Sequence, residues 1–391
     1  MARGGRKTSL LLTAACFTVG ICLILISTVY NAFAESPMSG FNPATLANGE
    51  GGATLNVKSF WADNALPLRA IFLDEWDGPY TPENSNNADT FWYADAGIAY
   101  KGWRLAGFYR GELFLETNRD TVDILRMINL RQDLPVGRRF NVDLMIKGFT
   151  AAGVEISKGV DLDRLVPGLK AGFTARYLNG QMVQDGKISG FAMPTTAKTY
   201  DLNLALDYVY DTNFVYKRKN NAPDRGDGFS FDIGAKYSWR DKIEASVLVR
   251  DILGYIYWKA APYTLADATS DVKTFDADSY QVFRPTIKGF EGYKSFTQKI
   301  PIKTDIDVSF REGPVKLSTT INLIEDRPVY WMDLEYSPTS QLVLSAGYNV
   351  NYQVYSMGIG YGKLRFKAYM DDINLQRAKA LGLLLSCSFA W

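Results

Sequence analysis

The chain has 391 residues, with 43 Lys and Arg against 42 Asp and Glu, so its charge balance gives no case for a nucleic-acid partner. It contains no histidine; that removes the commonest metal ligand and the usual neutral-pH general base, and excludes every Ser-His or Asp-His hydrolase. Of its three cysteines, Cys16 and Cys22 lie in an N-terminal apolar run, so a processed chain keeps Cys387 alone and forms neither an internal disulfide nor a structural zinc site.

The first predicted element is a targeting segment. Arg3, Arg6 and Lys7 precede an apolar run from Leu10 to Tyr30, and Ala32-Phe33-Ala34 places small residues where a signal peptidase reads, predicting cleavage before Glu35. A retained membrane helix is the competing reading, since the run is long enough to span a bilayer. Beyond residue 34 no stretch approaches the roughly 18 apolar residues of a membrane helix. Membrane entry would then require a closed β-barrel, the other structure that satisfies every backbone group in lipid.

Period-two alternation follows and continues to the C-terminus. Leu202, Leu204, Leu206, Tyr208 and Tyr210 share one face, opposite Asp201, Asn203 and Asp207. Phe229, Phe231, Ile233, Tyr237 and Trp239 alternate with Ser230, Asp232, Gly234 and Lys236. Ala245, Val247 and Val249 oppose Glu244, Ser246 and Arg250, while Ile306, Val308 and Phe310 oppose Lys303, Asp305 and Asp307. Strands are expected at 330–336, 342–348, 355–361 and 364–370, separated by short turns such as Gly362-Lys363. The last strand places Leu383, Leu385, Cys387, Phe389 and Trp391 on one face. No long amphipathic helix competes; the best helical candidate, 161–165, reads as a loop element. Longer outer loops are expected at 76–90, 213–228 and 259–299, with Lys217-Arg218-Lys219 making the middle one basic. Aromatics form 14% of the chain and cluster at strand ends, as the interfacial girdles of a membrane barrel require. The expected fold is an all-β transmembrane antiparallel barrel of about 14 strands spanning residues 53–391.

Two regions carry a family resemblance. Gly40-Phe41-Asn42-Pro43-Ala44 near the processed N-terminus, and the hairpin from Gly228 through Asp232, Gly234 and Tyr237 to Asp251 and Trp258, resemble FadL-type transporters of hydrophobic compounds and the related PorV-like barrels. The closing hairpins, through Glu335-Tyr336, Gly347-Tyr348 and Gly360-Tyr361, are also similar to that superfamily. The resemblance implies an N-terminal hatch, here residues 35–52, with Asn42, Pro43 and Ala44 as hatch residues. A plain proline turn at the N-terminus is the alternative.

Alternation sends Asp232, Lys236, Glu244, Arg250, Asp305, Asp307, Asp333 and Glu335 into the lumen, together with Asp201, Asp207, Lys303, Lys316, Arg365 and Lys367. Both signs are present, so strong ion selectivity is not expected. The expected function is an outer-membrane channel or transporter for small hydrophobic molecules, without enzymatic activity or cofactor. The alternative is a barrel scaffold for a secretion, polysaccharide-export or attachment complex, with the aromatic-rich 259–299 segment as docking surface. Expected partners are outer-membrane lipids, the barrel-assembly machinery that reads the closing strand, and either a hydrophobic solute or export proteins.

Overall fold

The computed structural model describes residues 36–196, 199–213, 218–219, 225–275 and 281–391. The targeting segment 1–34, its cleavage point, Lys217 and most of the 213–228 loop lie outside the described residues.

The strands are β1 Gly52–Asp63, β2 Ser85–Tyr100, β3 Trp103–Asn118, β4 Phe140–Asp161, β5 Leu169–Pro194 and β6 Tyr200–Tyr210. The two-residue strands β7 Thr212–Asn213 and β8 Arg218–Lys219 pair only with each other. Next come β9 Gly226–Trp239, β10 Ile243–Phe275, β11 Gln281–Lys299, β12 Lys303–Glu312 and β13 Val315–Ile324. The chain closes with β14 Arg327–Tyr336, β15 Leu342–Asn349, β16 Val354–Tyr361, β17 Leu364–Met370 and β18 Ala380–Ala390. A 3-10 helix spans Pro43–Asn48, and two α-helices, α1 Leu68–Leu73 and α2 Arg119–Asn129, sit in connections.

All strands but β6–β8 and β11 form a closed, antiparallel 14-strand barrel. Closure comes from β18 pairing β1, from Gly52↔Ala390 to Ala62↔Ala380. The backbone N–H of Trp391 donates to Gly51 O at 3.2 Å, so the ring opens and ends at one point on its rim. That rim carries the short turns, including Gly313-Pro314 and Gly362-Lys363. The opposite rim carries α1, α2 and the extended strands. Short turns on one side and long connections on the other fit periplasmic and extracellular faces.

The outer wall is apolar because alternate residues point outward into lipid. Ile98, Leu105, Val154, Ile233, Val308 and Ile359 are exposed along it. Aromatic rings border this band. Trp103, Trp239, Tyr336 and Tyr361 lie exposed toward the short-turn rim. Toward the other, Tyr177 and Phe229 meet at 5.6 Å and Phe229 and Tyr255 at 6.4 Å.

Two expectations need correction. The 259–299 segment is not a loop: its described part is the second half of β10 and most of β11, paired from Tyr255↔Lys299 onward. Asp201 and Asp207 do not face the lumen. They lie on β6, which pairs β5 and β10 beyond the ring, and the Asp207 side chain is 65% exposed. The alternation there was read correctly, but its apolar face turns inward because the strand stands in water rather than lipid. The α2 helix was also missed. Its signal is Asn118, whose side chain accepts from Thr121 N, the bond of an N-cap.

Candidate functional site

The N-terminal segment lies inside the barrel. Asn42 caps the 3-10 helix, its Oδ1 accepting from Ala44 N at 3.0 Å, while Pro43 fits the first helical position because it has no N–H to satisfy. The Asn42 amide also donates to Ala235 O at 3.2 Å and Val247 O at 3.3 Å, two residues paired across β9 and β10. The wall beneath this turn has no side chains. Gly159, Gly172 and Gly234 are in register across β4, β5 and β9. A Cβ on Gly234 would stand 2.1 Å from Asn42 Oδ1, on Gly172 2.5 Å from the Pro43 carbonyl carbon, and on Gly159 2.4 Å from Ala47 N. Asn42, Pro43 and Ala44 therefore rest on bare backbone, and only glycine permits that approach.

Residues 38–40 are held by side chains from across the lumen. Asp305 accepts from Gly40 N at 3.0 Å, and Arg250 donates to Met38 O at 2.7 Å. Lys58 donates to Ser39 O at 3.3 Å, and Asn322 to Ser39 Oγ at 3.0 Å. The Arg104 guanidinium lies 4.7 Å from the Phe41 ring centroid.

A chain of buried charges runs round the wall from this segment. Arg104 pairs with Asp95 and Glu155; Arg176 joins Glu155 at 2.7 Å to Asp232 at 2.5 Å. Asp232 accepts from Asp251 N at 3.0 Å. Asp251 then reaches across the lumen to Arg110 at 2.8 Å and pairs with Lys303 of the neighbouring strand at 2.9 Å, and both cations also hold Glu112, at 2.8 and 2.7 Å. Each charge has an opposite neighbour, the condition under which burial of ions is tolerable.

The lumen candidates divide between this chain and a separate half of the barrel. Asp232 belongs to the chain, and Arg250 pairs with Asp305 at 2.9 Å. Lys236 and Glu244 pair at 2.8 Å; Asp307 accepts from Thr320 at 2.5 Å; Asp333 pairs with Lys367. Glu335 is 2% exposed, and its Oε1 has no hydrogen-bond partner among the described residues. Lys236, Glu244, Asp307, Lys316 and Arg365 line a polar chamber of about 290 Å3, whose upper boundary includes Met38, Ser39 and Gly40. Two apolar clusters also fill parts of the lumen. Phe60 packs edge-on against Trp331 at 5.4 Å and Tyr369 at 6.3 Å, with Met38 in the same cluster. A second cluster gathers Phe149, Leu178, Val183, Ile256 and Trp258.

Reading by alternation missed Arg110, Glu112, Glu155 and Arg176, although Arg104, Arg110 and Glu112 keep the period of two along β3. Asp251 was hidden by a different cause. It directly follows inward-facing Arg250, so simple alternation sends it outward. Two bulges in β10, with Asp251 at φ 59° and Leu253 at φ 54°, turn it inward instead.

No curated protein matches the sequence. Among solved structures, the fold is similar to the TodX deltaS2S3 mutant monoaromatic hydrocarbon channel, at 10% identity over 94% of this chain and 96% of that one, with a TM-score of 0.47. It is similar to the Pseudomonas putida toluene transporter TodX, at 8% identity over 93% and 94% of the two chains, with a TM-score of 0.40. It is also similar to a Pseudomonas aeruginosa FadL homologue, at 10% identity over 90% and 92%, with a TM-score of 0.39. Residues 92–335, more than half of the chain, match the model of one protein family, and the chain belongs to it: the family of unknown function DUF5723.

Proposed function

We propose that this protein is an outer-membrane channel for small hydrophobic molecules, closed from within by residues 35–52 acting as a hatch. The observation that carries the proposal is the pair of apolar clusters packed inside the lumen. A water-filled porin lines its channel with polar groups. Here Phe60, Phe91, Phe114, Val329, Trp331 and Tyr369 point inward and pack together. An apolar solute exchanges contacts with such rings at little desolvation cost, whereas a sugar or ion would strip them of neighbours and gain nothing.

Asn42, Pro43 and Ala44 would seat the hatch, and Met38 would join it to the apolar cluster. The charged lumen residues would hold the hatch and wall in register rather than select ions. Signal-peptide cleavage after Ala34 would free the segment to enter the lumen during assembly.

The test is uptake of a fluorescent monoaromatic probe by vesicles with a lipopolysaccharide outer leaflet, comparing the mature chain with one lacking residues 35–52. Faster uptake after deletion is expected. Unchanged flux of every solute tried would rule out gating by this segment.

A further inference from the structure

We infer that the ring formed by Arg110, Glu112, Asp251 and Lys303 is a second permeability barrier beside the hatch, standing between the chamber and the apolar cluster around Phe149. The inference takes from the proposed function only that the lumen is the route. The four groups close on themselves with alternating charge: Arg110 to Asp251 at 2.8 and 2.9 Å, Asp251 to Lys303 at 2.9 Å, Lys303 to Glu112 at 2.7 Å and Glu112 to Arg110 at 2.8 Å. Arg110 and Glu112 stand on β3, whereas Asp251 and Lys303 stand on β10 and β12, so the ring is a bridge across the interior and not a decoration of one wall. None of the four is more than 5% exposed.

The ring touches the chamber on one side and apolar rings on the other, and the chamber itself also meets Phe91 and Leu384. Arg110 and Glu112 line the polar chamber. The Arg110 guanidinium also lies 5.1 Å from the Phe149 ring, and the Lys303 ammonium 5.9 Å from the Phe114 ring, each in an apolar cluster. Balanced charge keeps the bridge dry. Loss of one member leaves an excess charge that draws in water, while removal of one cation with one anion leaves the bidentate Arg110–Asp251 pair neutral. The β10 bulges serve this arrangement by turning Asp251 inward beside Arg250, which period two alone cannot do.

The experiment places a thiol beside the bridge, in the apolar cluster that Arg110 meets. Ala151→Cys is made in the full mature chain carrying Cys387→Ser; Ala151 is fully buried and in register with Arg110. Labelling by a membrane-impermeant thiosulfonate is followed together with conductance in planar bilayers. Glu112→Gln and Lys303→Gln should each raise the labelling rate at least tenfold, and the double variant should return it to the parent rate. Heat-modified gel mobility identifies folded barrels, and the double variant retains a balanced bridge if a single one fails to insert. Parent-like labelling in folded single variants, or a double variant as reactive as the singles, would overturn the inference. Charge-dependent labelling without transport of any solute would support the barrier and refute the channel.

Discussion

The ring and the extension above it use the same alternation in opposite senses. On β12 of the ring, Val308 points out and Asp305 and Asp307 point in. On β6 of the extension, Asn203 and Asp207 point out while Leu206, Tyr208 and Tyr210 are buried. β10 belongs to both regions. Its first half turns Glu244 and Ser246 toward the chamber and Val247 toward lipid; its second half buries Ala266 and Ala268 and exposes Asp267 together with Leu265. The medium outside the wall sets the sense: lipid rewards an apolar exterior, water a polar one. A strand pattern therefore reports a periodicity, and the surroundings decide which face is interior.

The largest expected effect comes from removing the hub of the buried charges. Asp251→Ala leaves Arg110 and Lys303 facing each other with Glu112 as their shared anion, and should destabilise the barrel by about 3–5 kcal/mol. Urea denaturation of micelle-refolded protein reads this directly. The contrast between regions is tested by the same charge in two places. Val308→Lys puts an ammonium among lipid tails and should cost about 2–4 kcal/mol. Asn203→Lys, on the polar exterior of the extension, should stay within about 0.5 kcal/mol. Equal effects would mean that both exteriors meet the same medium.

Gly172→Val should displace the 3-10 helix without unfolding the wall, because the added side chain collides with the backbone of Pro43 and Ala44. Limited proteolysis should then cut within residues 36–48, where the parent is resistant. The smallest effect is a pH dependence confined to the extension. Beyond the Tyr177 girdle, burial pushes the Asp185 carboxyl up to about 6 from the usual 3.8. The folded state therefore binds this proton more tightly than the unfolded chain. Its stabilisation is fully present below about pH 4 and is lost as pH rises through 6. Asp185→Asn should flatten that slope in amide exchange of β5 and β6 between pH 4 and 7, while the ring amides stay unchanged.

Much of the ring was legible because lipid imposes a strict pattern. The strands expected at 342–348, 355–361 and 364–370 appear as Leu342–Asn349, Val354–Tyr361 and Leu364–Met370. The closing strand is present too, although it stops at Ala390 and leaves Trp391 exposed on the rim. The extension was misread at Lys259–Lys299 because aromatic, polar and glycine residues mixed over so long a run resemble a loop. Its strands are fixed by pairing with distant partners, such as Leu265 with Phe290 and with Asp207, which local pattern does not encode. The buried charges were half legible. Arg250 and Asp305 follow alternation along an unbroken β10–β12 register, whereas the inward turn of Asp251 depends on bulges that no periodicity announces.

Solute flux through the intact mature chain, compared for an apolar and a hydrophilic molecule of equal size, tests the proposed route most directly. Vesicles with a lipopolysaccharide leaflet should admit toluene faster with the protein than without it, and should exclude a small sugar alcohol in both cases. Sugar alcohol entering at porin-like rates, with toluene entry unchanged, would contradict an apolar route through the lumen.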